Sequence, residues 1–277
     1  MSVEPEVVVL PTYDDIEGIA SETAPWRDLY EFEHTVDVPG VPYPFEYTDD
    51  GVALVPTGVR KAGSTTSMTA LLAADALDLS ESLLLTVGVA GAPPDVPVGS
   101  VVVTDTILDW DDKCRIEPDD EDVPLMLDPY TSGDGVFELN SDLVDRAAEL
   151  ARDVDLVPTP SDDDADFAEV LTGTNVCADE FWHGGEVARQ VEWLVDQHDA
   201  GQYRVTEVED AGTATALERF DMLDQYLSIR GVSNYDRPTD DRTPRENVFS
   251  QEFESGFEVG VENSVAVGRA IVEDRLS

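Results

Sequence analysis

Residues 203–217, Y-R-V-T-E-V-E-D-A-G-T-A-T-A-L, constrain the fold more than any other stretch of the chain. A short β-prone run ends at Val208 and passes almost directly into a helix built from Ala, Gly and Thr, side chains small enough to let a helix approach a sheet closely. Glu209 and Asp210 stand at the junction. In open α/β sheets ligands bind outside the carboxyl ends of the strands, and a carboxylate placed there can grip two neighbouring hydroxyls. Asp makes a good helix N-cap and Glu a poor one. Asp210 is therefore read as the cap and Glu209 as the ligand group, with plain capping by either acid as the alternative.

The rest of the chain repeats this alternation. Residues 6–10 (E-V-V-V-L), between Pro5 and Pro11, have the pattern of a strand buried on both faces and central in a sheet. Asp14 and Asp15 follow at its end, as a base on water or as surface decoration. Residues 26–47 are rich in aromatics and proline and predict an ordered loop or edge hairpin. Residues 51–59 return to strand, Gly58 turns the chain, and residues 63–74 form a small-residue helix whose approach carries Arg60 and Lys61. That pair suits an anion at a helix N-terminus, or serves as counterions to nearby acids.

Further strands are predicted at 83–87, 100–105, 170–174 and 226–232, and helices at 141–153, 186–197 and 257–276. Gly88 and Gly91, in V-G-V-A-G, would let a ligand approach the backbone, as would an ordinary tight turn. Residues 106–140 and 158–167 are irregular and acidic, the first long enough to cover a site. After the strand at 170–174, Phe181 and Trp182 could stack on a flat base and His183 could contact a sugar or base; a buried aromatic plug is the competing reading. At the end of the last strand, Asn234 and Asp236 could recognise the edge of a heterocycle, or simply make a turn.

The acids, 61 against 16 Lys and Arg, give a formal net charge of −45 and are spread over the whole length. With 42% hydrophobic residues the chain can still build a core, so the charge is read as an acidic skin adapted to concentrated salt, pointing to a halophilic archaeon. Nucleic acid is disfavoured for want of a basic patch. Cys114 and Cys177 fit no metal spacing, and no metal or cofactor is expected. With no basic leader and no apolar run near ~18 residues, a cytoplasmic protein without membrane insertion is expected.

The motifs V-G-V-A-G (Gly88, Ala90, Gly91), T-N-V-C-A-D-E-F-W-H-G, V-E-D-A-G-T-A-T-A-L and R-G-V-S-N-Y-D-R-P resemble, in order, those of the purine nucleoside permease family within the superfamily of nucleoside phosphorylases and nucleosidases. The resemblance implies one α/β domain over residues 1–277, a three-layer α/β/α fold around a mixed sheet, assembly as a homo-oligomer, and purine nucleosides as ligands. It makes Glu209, beside Val208, the group that holds the ribose hydroxyls. Asn234 falls where relatives protonate the purine, with Asp236 an alternative proton source and Arg237 orienting it. Phosphorylases place an arginine and a hydroxyl residue around the glycine turn, whereas this chain has Thr86 and Val89. Phosphate as co-substrate then depends on Arg60, Lys61 and Thr86, and water is the other nucleophile. The expected function is cleavage of the N-glycosidic bond, by phosphorolysis or hydrolysis; the alternative is a non-catalytic nucleoside-binding protein working with a membrane transport partner.

Overall fold

Strand β1 (Val7–Leu10) has every side chain buried, as a Val-Leu run between prolines requires when both faces are covered. In the computed structural model, which describes residues 2–16, 19–116, 123–130, 135–158 and 167–277 (251–254 by backbone alone), β1 pairs in parallel with β4 (Val52–Leu54) and β5 (Leu83–Ala92). β5 pairs in parallel with β12 (Tyr226–Tyr235), which runs antiparallel to β6 (Val101–Asp109). β10 (Val170–Cys177) lies parallel to β6, and β11 (Tyr203–Glu207) parallel to β10. At the other edge β2 (His34–Val36) and β3 (Phe45–Tyr47) form the hairpin predicted within 26–47 and join β4. β7 (Cys114–Arg115) and β8 (Leu125–Met126) pair separately, and β9 (Val136–Glu138) pairs with β6.

Helices cover this mixed sheet on both faces. On β12 the Arg230 side chain reaches Asp210 in α5 (Asp210–Arg219), while Gly231 meets Gly260 in α7 (Gln251–Arg275). Neighbouring residues of a strand point to opposite faces, so α5 and α7 lie on opposite sides. α7 carries with it α1 (Ala24–Leu29) and α3 (Ser141–Arg152), and α5 packs on α2 (Arg60–Leu72). α4 (Gly185–His198) buries Ala188, Val191 and Leu194 against Leu108, Trp110 and Val176, and α6 (Pro244–Val248) begins with a Thr243–Glu246 capping box. This is the expected three-layer arrangement.

Several boundaries differ from the sequence reading. The strand expected at 51–59 is only Val52–Leu54, and α2 starts at Arg60 rather than at 63. The segment 106–140 is only partly irregular: β6 runs on to Asp109, and β9 lies beside it. Its acidic centre, 117–122, and residues 159–166 of the second acidic segment lie outside the described residues. The small residues of α5 do allow close approach, but at Gly212 the neighbour is a helix: an added Cβ would stand 2.4 Å from Ser64 Oγ and 2.7 Å from Lys61 Cα of α2.

One bridge shapes the site. Thr206 of β11 pairs antiparallel with Gly91 of β5, which bends the β6–β10–β11 end of the sheet back toward its middle. The ends of β5, β11 and β12 therefore converge.

Candidate nucleoside site

At this convergence lies a cavity of about 180 Å³, lined by Val89, Ala90 and Gly91 from β5, Thr206 to Glu209 from the β11–α5 junction, Ser233 and Asn234 from β12, and Tyr13, Glu22, Val59, Phe181 and Phe257 from the surrounding segments. A smaller cavity of about 30 Å³ adjoins it, shares Gly91, Phe181, Val208 and Asn234, and adds Trp182 and Asp236. A wider groove of about 670 Å³ between α1 and α7 contains none of these strand-end groups.

The β11–α5 junction corrects the reading of its acids. Glu209, not Asp210, occupies the cap position, and its side chain makes no cap bond. Capping comes from one turn earlier: Glu207 Oε2 accepts from the backbone N–H groups of Glu209 (2.7 Å) and Asp210 (2.9 Å). Asp210, the first helical residue, turns inward and is fully buried. Its carboxylate accepts from Asn175 Nδ2 (2.8 Å), Tyr226 OH (2.8 Å), Ser228 Oγ (2.5 Å) and Arg230 Nε (3.1 Å), and Arg230 Nη2 bonds its other oxygen. Glu209 itself lines the cavity, where Oε1 accepts from Arg60 N (2.9 Å).

Burial sets these acids apart electrostatically. It pushes Glu207 up to about 8, helped by the charge of Asp210, and Glu209 up to about 7, with Arg230 opposing both. Burial also opposes the charge on Asp210, but Arg230, Ser228 and Tyr226 prevail and hold it below the ordinary aspartate value. A carboxylate with that many donors stays ionised even when dry.

Glu22 is the site residue that the sequence reading missed. It is buried and lines the cavity; Oε2 accepts from Thr12 N (2.7 Å) and Oε1 from Val89 N (3.3 Å), while burial raises its pKa. Among 61 acids nothing local marked it out. It explains Gly88 as well: a Cβ there would meet Glu22 Oε1 at 2.7 Å and Arg230 Nη1 at 3.0 Å. Gly88 thus makes room for side chains of the protein itself. Gly91 makes room for Asn234, whose Nδ2 would lie 3.2 Å from an added Cβ.

Asn234 is oriented on both sides, with Oδ1 accepting from Ser233 Oγ (2.8 Å) and Nδ2 donating to Tyr235 O (2.8 Å). Asp236 lines only the smaller cavity. Its oxygens accept from Tyr203 OH (2.9 Å) and Arg237 Nε (2.7 Å), and burial raises its pKa against the pull of those two bonds. Phe181, exposed, lines both cavities, and Trp182, buried in a cluster with Leu108 and Trp110, lines only the smaller one. His183 lines neither cavity; burial keeps its ring below the usual imidazole value.

The three residues read as a phosphate site are not assembled as one. Thr86 is buried in mid-strand with its hydroxyl 3.0 Å from Tyr226 OH. Lys61 lies between Asp109 and Asp111, 2.6 Å from each. Arg60 bonds Glu209 through its backbone while its guanidinium turns to the Asp179 carbonyl. Asp14, considered as a base, is paired with Arg27 and hydrogen-bonded to Thr23, and Arg27 holds it below the usual range.

The three-layer arrangement around a mixed sheet is a nucleoside phosphorylase-like fold. Solved structures agree on the fold: futalosine hydrolase of Helicobacter pylori aligns with a TM-score of 0.66 at 17% identity over 98% of each chain. The 5'-methylthioadenosine/S-adenosylhomocysteine nucleosidase of Neisseria meningitidis, in complex with methylthio-immucillin-A, aligns with 0.66 at 17% over 98% of this chain and 99% of its own. The profile of the purine nucleoside permease (NUP) family matches residues 4–277, and the chain belongs to that family. A purine nucleoside permease of Candida albicans is 24% identical over 311 residues, covering 98% of this chain and 76% of the relative. Among the described residues no helix is long and apolar enough to cross a membrane.

Proposed function

We propose that the protein cleaves the N-glycosidic bond of purine nucleosides with water as the nucleophile. The observation that carries this reading is the charge of the cavity wall. Glu22, Glu207 and Glu209 line it, while Arg230 is taken by Asp210 and Lys61 by Asp109 and Asp111. Among the described residues a phosphate dianion would meet Glu22 and Glu209 with Arg230 and Lys61 already paired to acids and the Arg60 guanidinium turned to the Asp179 carbonyl, whereas ribose hydroxyls and water are donors that carboxylates accept.

In this reading Glu209 accepts from the ribose hydroxyls and stabilises the oxocarbenium character that grows as the bond stretches. Glu22, backed by two backbone N–H groups and raised by burial, takes a proton from the attacking water. Asn234 presents its fixed amide to the departing base, Phe181 and Trp182 flank it, and Asp236 with Arg237 anchors the strand end beneath.

The test is release of free base from inosine, guanosine and adenosine in molar KCl, with and without phosphate. Release that needs no phosphate, and falls on the order of 10²-fold or more in Glu209→Ala, is expected. Release only when phosphate is present would overturn the choice of water. The family match favours a second reading, in which the protein binds nucleoside and passes it to a membrane partner without chemistry. A folded protein that binds nucleoside and frees no base in either condition would establish it.

A further inference from the structure

Asp210 is the most heavily bonded side chain of the region, yet it lines neither cavity and the reaction proposed above makes no direct use of it. Its partners come from two strands, Asn175 on β10 and Tyr226, Ser228 and Arg230 on β12, and Glu207 of β11 shares Asn175 (3.1 Å) and Arg230 (3.2 Å). Arg230 is 2% exposed and stands among Asp210, Glu207, Glu209 and Glu22. Its position between them decides how positive charge is shared among acids that cannot reach water.

We infer that Asp210 is a positioning residue acting on the sugar-binding end of the cavity through Arg230: its two-pronged bond holds the guanidinium at the head of α5 and keeps it off the Glu209 carboxylate. The inference rests on the nucleosidase reading for its effect on rate, but not for its effect on charge. The geometry already separates the two acids. Arg230 makes two contacts to Asp210 and one longer contact to Glu207, and no ion pair to Glu209 or Glu22 is found among the described residues.

The groups facing Glu209 are Arg230, Glu22, Asp210 and Glu207, with the Tyr13 phenol and the Cys177 thiol close enough to feel its charge. With Arg230 captured, Glu207 and Glu209 gain and lose protons near neutrality, well above surface carboxylates. Glu209 must be ionised to stabilise a cationic sugar, so turnover should fall as pH drops through about 7. Removing the Asp210 charge frees Arg230 for the remaining acids and removes a like charge beside them. Both changes favour their ionised forms.

The experiment is an NMR titration of protein labelled at the glutamate carboxyl carbons, in molar KCl, with Glu207→Gln and Glu209→Gln to assign the two signals. In the wild type one is expected to titrate at about 8 and the other at about 7. In Asp210→Asn both should move down by ~1–2 pH units, and the acid limb of any base release should move with them. Asp210→Glu, which keeps the charge, should leave them near the wild-type positions. Unchanged titration in folded D210N, or a shift in D210E as large as in D210N, would overturn the inference, the second by showing that packing and not charge is responsible. If D210N does not fold, the wild type decides: no glutamate titrating above pH 6 overturns it, and two such signals with D210E unmoved support it. The titration needs no turnover, so a protein without hydrolase activity would fail the functional reading and leave this one standing.

Discussion

Glu207 shows how one side chain can serve local structure and electrostatics together. It caps α5 through two backbone N–H groups and yet has its pKa raised to about 8 by burial beside Asp210. The folded protein therefore binds a proton that the unfolded chain, with an ordinary value of 4.5, has released. Between those values the native state holds more protons, so stability is greatest on the acid side and is lost as pH rises from about 5 toward 8. Glu209 and Glu22 are shifted in the same direction and Asp210 in the opposite one, its own window lying below pH 4. Denaturant melts of the wild type in molar KCl should show that decline, and Glu207→Gln, neutral throughout, should flatten it. A wild-type stability that rises from pH 5 to 8 would contradict the assignment. Glu22 could not be picked out from the sequence, because its distinction is that an acid far from any motif lies buried with its oxygens on Thr12 N and Val89 N.

At the scale of elements, the packing of β12 against α7 is set by backbone meeting backbone. A Cβ on Gly231 would lie 1.9 Å from Gly260 O, and one on Gly256 would lie 2.0 Å from Ser233 O. Neither obstacle is a flexible side chain, so strand and helix must separate to admit a methyl group. Gly231→Ala should cost ~3 kcal/mol or more in denaturant melts, at the upper end of overpacking substitutions, and should weaken nucleoside binding by displacing Asn234. A change below ~1 kcal/mol would show that α7 can shift freely. The elements themselves were largely legible: β1, α3 and α4 fall within a residue or two of their expected bounds, because apolar periodicity and caps are local signals. β5, β6, β10 and β12 run three or more residues beyond the apolar runs that predicted them, through Gly, Ser, Thr and Asn, since pairing with a neighbouring strand sustains a strand where side-chain pattern alone does not.

For the molecule as a whole, the formal net charge of −45 opposes compaction. Exposed carboxylates repel across distances that salt can screen, the Debye length falling from ~8 Å at 0.15 M to ~3 Å at 1 M. The buried cluster around Arg230 is shielded from that screening. The melting temperature should therefore rise by at least ~10 °C between 0.15 and 2 M KCl, while the titration of Glu207 stays nearly fixed; a melting temperature indifferent to salt would remove the reading of the acidic surface as an adaptation to salt.

By itself the sequence determined the alternation of strands and small-residue helices, the acidic surface, and the strand ends carrying Glu209 and Asn234. These follow from periodicity, charge and residue size over a few neighbours. Only the tertiary structure decided which acids face the cavity and which cation answers them. Asp210 turned from helix cap to partner of Arg230, Lys61 was drawn between Asp109 and Asp111, and Glu22 came in from a distant loop to lie over Gly88. The physical reason is that an acid's charge and role depend on burial and on partners brought together across the sheet, and no window along the chain contains them.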